Sequence, residues 1–256
     1  MSKIILDGAA SACIIYRKDN PREIFLEIKD DGLPVKAFRR HLNPIGGNWI
    51  GGTAKKDKSP KETLIREIRE ELTLEKPQIS TQGLKELGFI PEKEFYKLPD
   101  VKPTPTEQDV IELETVKEII IGGLKPFQDY IITNPTEVFE RADPFNKQKG
   151  SIGLISIWTC GLDEETWKRL SALQYKFGNL SNESFSLITS LEEIIFIPLY
   201  SAYGNDRPLL DFFISHSPLP LVKRFPLVEG INSEVVGKPK TSWESYLEEY
   251  EILRKP

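Results

Sequence analysis

Residues 51–74 read GGTAKKDKSPKETLIREIREELTL: a glycine pair, a short charged loop and the best-defined helix in the chain. Ser59 can cap that helix, Pro60 suits its first position, and Glu62 completes a capping box with Ser59. The pattern predicts a helix from about Pro60 to Leu72, with Pro77 as the next firm stop. At about 100° per residue, Leu64, Ile65, Ile68 and Leu72 gather on one side, which faces a core. Glu67, Glu70 and Glu71 gather on another, at spacings i, i+3 and i+4. In water such carboxylates repel one another by a few tenths of a kcal/mol per pair. A divalent cation among them removes that cost, and hard oxygen ligands suit Mg2+ or Mn2+. Gly51 and Gly52 lie ahead of the helix, where a bare backbone can turn a carbonyl toward the same cation. Taken alone, REIREE also describes a solvated, glutamate-rich helix face.

Working outward, residues 9–17 (AASACIIYR) and 23–29 (EIFLEIK) are apolar, β-branched runs on either side of Lys18-Asp19-Asn20-Pro21, and predict a β-hairpin. The glycine-rich stretch 46–52 reads as loop with at most one short strand. Residues 91–148 carry Pro91, Pro99, Pro103, Pro105, Pro126, Pro135 and Pro144 around one helical island. That island starts at Thr106, pairs it with Asp109 in a second capping box and stops at Gly122-Gly123. Its stripe of Val110, Leu113, Val116 and Ile120 predicts an insertion packed on the main fold rather than a free linker. Residues 150–162 (GSIGLISIWTCGL) form a long strand, followed by a helix at 164–174 capped by Asp163. Strand and short-helix material continues at 184–200, and an apolar segment, LLDFFI, comes after Pro208. A last helix starts at Thr241, with Glu244 in a third capping box, and carries Trp243, Tyr246, Leu247, Tyr250 and Leu253. Such a stripe is a docking face, within the chain or across a homodimer. The whole, 1–256, reads as one domain with an insertion at about 91–148 and a C-terminal extension at about 230–256.

Composition narrows the function classes. The chain has 256 residues, 39% hydrophobic and 29% charged, which suits a protein that buries a real core. Its net charge of −5 supplies no basic field for a nucleic-acid backbone. No apolar run approaches the roughly 20 residues that span a bilayer. Ala9-Ala10-Ser11-Ala12 resembles a signal-peptidase site, but Asp7 interrupts the apolar run ahead of it, so this segment reads as a core strand. Cys13 and Cys160, in apolar strands, read as buried reduced thiols of a cytoplasmic protein. With His41 and His216 as the only imidazoles, a histidine-rich metal site is excluded.

The order of these elements adds what the helix alone cannot. Gly52, five residues, position 58, seven residues and then Arg66-Glu67-Ile68-Arg69-Glu70-Glu71-Leu72-Thr73-Leu74 resembles the Nudix box, G-x5-E-x7-R-E-U-x-E-E-x-G-U, with U a bulky aliphatic. The match holds at Gly52, Arg66, Glu67, Ile68, Glu70, Glu71 and Leu74. It departs at Lys58, where the family has Glu, and at Thr73, where it has Gly. The resemblance implies an α/β/α sandwich around a mixed sheet. It also implies metal binding by Glu67, Glu70 and Glu71 with the Gly51 carbonyl, and an Arg66 that holds a glutamate by a charge-assisted bond. The implied reaction is attack of water on a phosphorus of a pyrophosphate, helped by Mg2+ or Mn2+. Thr73 alters only how the helix ends. Lys58 reverses the local charge by two units: either it points to solvent while Asp57 or Glu62 compensates, or it weakens metal binding.

Family members also draw a carboxylate from a distant loop, as base or extra ligand. Glu183 stands in a comparable place, with Asp163, Glu164 and Glu165 as rivals and an exposed loop glutamate as the plain alternative. Phe89, Tyr96, Trp158 and Phe185 could stack on a base but read better as core. Pro91 is loosely placed to match a proline of ADP-ribose-hydrolysing members. The expectation is therefore a metal-dependent hydrolase of nucleoside diphosphate-X compounds, catalysed through Glu70, Arg66 and Glu183. The alternatives are a Nudix-derived nucleotide sensor, favoured by Lys58, and a scaffold remnant whose aromatic C-terminal helix is the working surface.

Overall fold

The central strand, β2 (Gly8–Arg17), reads as nine apolar or small residues ahead of Arg17 because it is covered on both faces. Beside it β7 (Ser151–Leu162) runs parallel, paired residue for residue from Gly8↔Gly153 to Arg17↔Leu162. The computed structural model describes residues 5–6, 8–29, 42–43, 45–50, 57–74, 103–134, 151–181, 184–190, 207–216, 232–249 and 251–252. The expected hairpin is present: β2 pairs antiparallel with β3 (Glu23–Lys29), and the turn is closed by Asn20 and Glu23 main-chain bonds. Further strands are β4 (Leu42–Asn43), β5 (Ile45–Ile50), β6 (Lys125–Asn134), β8 (Ser184–Ser190) and β9 (Asn232–Gly237). They make one mixed sheet in the order β4-β3-β2-β7-β6-β9, with β5 on β2 and β8 on β3. β1 (Ile5–Leu6) pairs in parallel with β10 (Glu251–Ile252).

β2 changes partner along its length. Residues 15–16 pair with β3, whereas 9–13 pair with β5, so the sheet forks beside β2. The one short strand allowed for in the glycine-rich stretch is present and takes it as far as Ile50, so strand and not loop predominates there. Gly46 and Gly47 lie opposite Ala12 and Ser11, and the ladder's main-chain bonds override the poor strand propensity of glycine.

Helix α1 (Pro60–Glu71) packs on β5 and β2; α2 (Glu107–Gly123) and α3 (Glu164–Phe177) pack beside it over β7. Their shared core joins Leu64, Ile68 and Leu72 of α1 to Val116 and Ile120 of α2, Leu170 and Phe177 of α3, and Cys13, Phe25, Trp158 and Cys160 of the sheet. The other face carries α4 (Arg207–His216), the apolar segment after Pro208. The ring of Tyr16 meets Phe212 and His216 edge-on, at centroid distances of 5.0 and 5.3 Å. Gly161, opposite Tyr16 in the ladder, has to lack a side chain, because a Cβ there would stand 2.8 Å from the tyrosine ring. Helices on both faces of a mixed sheet give the expected α/β/α layering.

Local signals account for the helix ends. Thr106 and Asp109 form a reciprocal capping box on α2, and Asp163 caps α3, which closes on Gly178 at φ 71°. α3 runs to Phe177, one turn beyond the expected 174. In α2, Leu113, Val116 and Ile120 are buried as expected, but Val110 is 47% exposed. The buried line continues through Lys117 instead, while Val110 faces a groove described below. Within 91–148, residues 125–134 are not an addition to the sheet but a strand of it, held between β7 and β9. Trp158, Phe185, Cys13 and Cys160 are core residues. Burial raises both thiols, that of Cys160 to about 12, which keeps them unreactive. Phe89, Pro91 and Tyr96 lie outside the described residues. Among the described residues no helix is long and apolar enough to cross a membrane.

The last helix, α5 (Trp243–Glu249), begins two residues later than Thr241, with Ser242 Oγ accepting from Ser245 N. Of its expected stripe, Trp243 and Tyr246 are buried within the chain; Tyr250 and Leu253 lie outside the described residues. The Tyr246 hydroxyl donates to Asp129 Oδ2 at 2.8 Å, accepts from Lys240 N at 2.9 Å and lies 3.3 Å from Ser156 Oγ. Burial pushes the Asp129 carboxyl up to about 6, against the opposing effects of Tyr246, Ser156 and the Lys240 charge. In the unfolded chain it would titrate near about 3.9. The folded state thus retains a proton that the unfolded state has released. This contribution to stability is complete below about pH 4 and is lost as the pH rises through 6. Asp129→Asn, which cannot ionise, should be more stable than the native protein at pH 8 by about 3 kcal/mol and equal to it at pH 4. Urea unfolding at the two pH values checks this; an equal difference at both would rule the titration out.

Candidate functional site

The candidate site begins at the entry to α1. Ser59, in extended conformation, accepts from Glu62 N at 3.1 Å, and Pro60 occupies the first helical position. The Glu62 carboxylate reaches back one residue further than a simple capping box, taking the Lys58 N–H at 2.8 Å. The Lys58 carbonyl accepts the Trp243 N–H at 2.9 Å, so the peptides on either side of the Lys58 Cα are each held by one bond. The Lys58 side chain itself is exposed, and its charge helps lower the Glu244 carboxyl in the first turn of α5, after Glu244's own N–H and Ser242. Of the two readings of Lys58, this geometry favours a solvent-facing lysine with Asp57 and Glu62 engaged locally.

Arg66 is the centre of the constellation. Its Nε and Nη2 donate to Asp57 Oδ2 at 3.1 and 2.9 Å. Its Nη1 lies 2.6 Å from Glu67 Oε1 and 3.3 Å from Glu70 Oε2. Burial opposes the guanidinium charge, but the bonds to Asp57 and the charge of Glu67 outweigh it and hold Arg66 above its ordinary range. The expected charge-assisted bond to a glutamate is thus present twice, and Asp57 is a third partner. Asp57 was legible only as a compensator for Lys58; its place nine residues before Arg66, in a loop, gives no periodic signal.

The three glutamates do not stand alike. Glu67 and Glu71 are buried, Glu71 at 2%, whereas the Glu70 side chain is 46% exposed. They were expected to gather on one face around a cation. Among the described residues, no three His, Cys, Asp or Glu side chains come close enough together to hold a metal. Arg66 Nη1 instead stands against one oxygen each of Glu67 and Glu70. In chemistry the donor set still fits a hard divalent cation, being oxygen throughout, with buried Glu67 and Glu71 and Glu70 at the rim. Gly51 and Glu183 lie outside the described residues.

The far end of α1 is also pinned. Leu72 leaves the helix in extended conformation, at φ −75° and ψ 114°, so no left-handed residue is needed and Thr73 is tolerated where the family has Gly. Thr73 N donates to Leu180 O at 2.9 Å, and Leu72 bridges Ser181. The 179–181 segment is fixed in turn by Asn179 Oδ1, which accepts from Ser181 N and Ser186 N, and by Ser186 Oγ against Gln174 Oε1. The chain therefore reaches Ser181, two residues before Glu183, beside the C-terminal end of α1. The rivals Asp163, Glu164 and Glu165 instead sit at the start of α3, where Asp163 caps the helix. Lys117 donates to Arg69 O at 3.4 Å and Glu114 Oε1 at 2.7 Å, tying α2 to the same end. Between these helices lies a groove of about 800 Å3, lined in part by Arg69, Glu70, Thr73, Val110, Glu114 and Lys117.

Sequence reasoning missed Glu27, fully buried on β3 opposite Ser186; a lone acid in the run Phe25-Leu26-Glu27-Ile28 was the available signal. It also missed the buried Asp129–Tyr246 pair.

Arg66→Met should destabilise the fold by about 2 kcal/mol, because it strands part-buried carboxylates. Arg66→Lys should recover only part of this, since an ammonium cannot serve three partners in a fork. Urea unfolding of the two variants measures both effects, and equal stability of all three proteins would show the cluster to be energetically idle.

No protein-family model matches the sequence, and no curated protein matches it. Among solved structures, a NUDIX hydrolase from Alicyclobacillus acidocaldarius aligns over 89% of this chain and 99% of its own, at 12% identity and a TM-score of 0.41. A likeness at that TM-score carries no weight for family or activity.

Proposed function

We propose that this chain is a Nudix-type pyrophosphohydrolase that uses Mg2+ or Mn2+ to cleave a nucleoside diphosphate-X compound of the ADP-ribose kind, in the cytoplasm. The observation that carries the reading is the Arg66 cluster on α1. The residues matching R-E-U-x-E-E form a helix whose apolar face is locked to the sheet and whose carboxylates are held by the arginine of the same motif. The roughly 800 Å3 groove touching Glu70 is of a size that admits a nucleotide.

Glu67, Glu70 and Glu71, with the Gly51 carbonyl, would hold the cation. When bound, it supplies charge neutralisation on the bridging phosphate oxygens and a more acidic water. The residues of the chain do the positioning. Arg66 fixes the rotamers of Glu67 and Glu70, so that orienting the carboxylates costs little entropy during the reaction. Glu70, half exposed at the rim, is the one reached by solvent and can accept a proton from an attacking water. Glu183 is the second candidate for that role.

A nucleotide sensor without turnover is the second reading. Arg66 already occupies oxygens of two of the three glutamates, which a cation would have to take over.

Phosphate release from ADP-ribose, dinucleoside polyphosphates, NADH, nucleotide sugars and nucleoside triphosphates, with Mg2+, with Mn2+ and with chelator, tests the proposal. Metal-dependent cleavage should fall at least about 100-fold in Glu70→Gln. Cleavage unchanged in that variant removes Glu70 from the mechanism. Silence across the panel, with nucleotide binding still visible as a thermal shift, moves the assignment to the sensor.

A further inference from the structure

The C-terminal element lies far from α1 in sequence yet meets it at one main-chain bond, Trp243 N to Lys58 O, 2.9 Å. Lys58 lies between Asp57, the first partner of Arg66, and Ser59, the cap of α1. The Lys58 N–H is spent on Glu62, so its carbonyl is what anchors the loop to a second body. That body is itself fixed: Trp243 and Tyr246 are buried, and the Tyr246 hydroxyl holds Asp129 on β6. We propose that the β9–α5 element is a positioning clamp for the candidate site, with Trp243 holding the Lys58 carbonyl so that Asp57 stays under Arg66.

The physical case is one of loop entropy. A residue in an unsupported loop loses about 1–2 kcal/mol of conformational freedom when it is fixed, and an ion pair made by a free loop has to overcome that cost. With the main chain bonded on both sides of the Lys58 Cα, Asp57 has less freedom to lose when it pairs with the guanidinium. The Asp57 bonds take Nε and Nη2 and leave Nη1 directed at Glu67 and Glu70. Loosening the clamp therefore frees Arg66 to rotate and its glutamates with it. Only this last step, from glutamate placement to metal affinity, rests on the proposed function.

Because the contact is a main-chain N–H at the first residue of a helix, one substitution isolates it. Proline is well accommodated at that position and lacks the N–H. Trp243→Pro compared with Trp243→Ala loses the same indole and differs in the hydrogen bond. Tyr246→Phe, which keeps the packing and removes the hydroxyl tether, is the milder second variant. In the full-length protein, the solvent exchange of the Arg66 Nε–H by NMR should be about tenfold faster in Trp243→Pro than in Trp243→Ala, the effect of one hydrogen bond. It should be several-fold faster in Tyr246→Phe than in the native protein. Mn2+ affinity, measured with Mn2+ alone, should weaken in the same order. Arg66 exchange that is equal in the proline and alanine variants, and unchanged in Tyr246→Phe, overturns the clamp. If the native protein fails to bind Mn2+ at millimolar concentration, the metal reading falls, while the Arg66 exchange still decides the clamp.

Discussion

One guanidinium facing three carboxylates is the constraint around which this protein is arranged. Asp57, Glu67 and Glu70 bring three formal negative charges to Arg66's one, leaving a surplus of two at a partly buried helix face. Like charges a few ångströms apart in such a place cost on the order of kilocalories per mole, more than the tenths that an exposed helix face would suffer. A solvated, glutamate-rich helix would not be built this way. It would leave its acids in water and its arginine free to exchange partners. Here the donors of Arg66 are divided among partners from a loop and from two helical positions, and burial works against the very charge that holds them.

Holding such a cluster requires rigidity that α1 cannot supply alone. Its twelve residues are marginal as an isolated helix. The apolar side, Leu64, Ile68 and Leu72, is fully buried against strands and against α2 and α3. Both ends are tied to distant parts of the chain: the entry through Lys58 to Trp243, the exit through Thr73 to Leu180. Lys117 adds a third tie by taking the Arg69 carbonyl. Removing Arg66 leaves these ties in place but strands the part-buried carboxylates it serves.

Much of this was legible because it is periodic or local. The β2–β3 hairpin, the caps at Ser59, Thr106 and Asp163, and the buried face of α1 follow from spacing and from side chains that reach two or three residues along the chain. What escaped depends on partners remote in sequence. The glycine-rich 45–50 segment, allowed one short strand at most, is strand throughout because β2 offers it a ladder. Residues 125–134, read as part of an insertion, became a strand of the main sheet between β7 and β9. Val110 has the spacing of a core residue but lies where α2 borders the groove rather than the sheet. In the site, the Arg66–glutamate bond was an expectation of the Nudix resemblance, and the structure has it within one turn of α1. Asp57 as a partner, Glu27 in mid-strand and the Asp129–Tyr246 contact across more than a hundred residues carry no local mark.

The two departures from the Nudix pattern have a common logic in this geometry. Position 73 needs glycine only if the helix closes through a left-handed residue. Here Leu72 turns straight into extended backbone, and the Thr73 N–H finds Leu180 instead, so the side chain costs nothing. Position 58 would matter most if its side chain faced the carboxylates. Instead the main chain at Lys58 is what the fold uses, bonded on both sides, while the ammonium lies toward the acidic first turn of α5. The carboxylate beside Arg66 comes from the preceding residue, Asp57. A one-residue shift of the acid in a loop requires only that the loop be held where the shifted acid meets the guanidinium. In the proposed clamp it is the C-terminal element that holds it, through the Trp243 N–H on the Lys58 carbonyl.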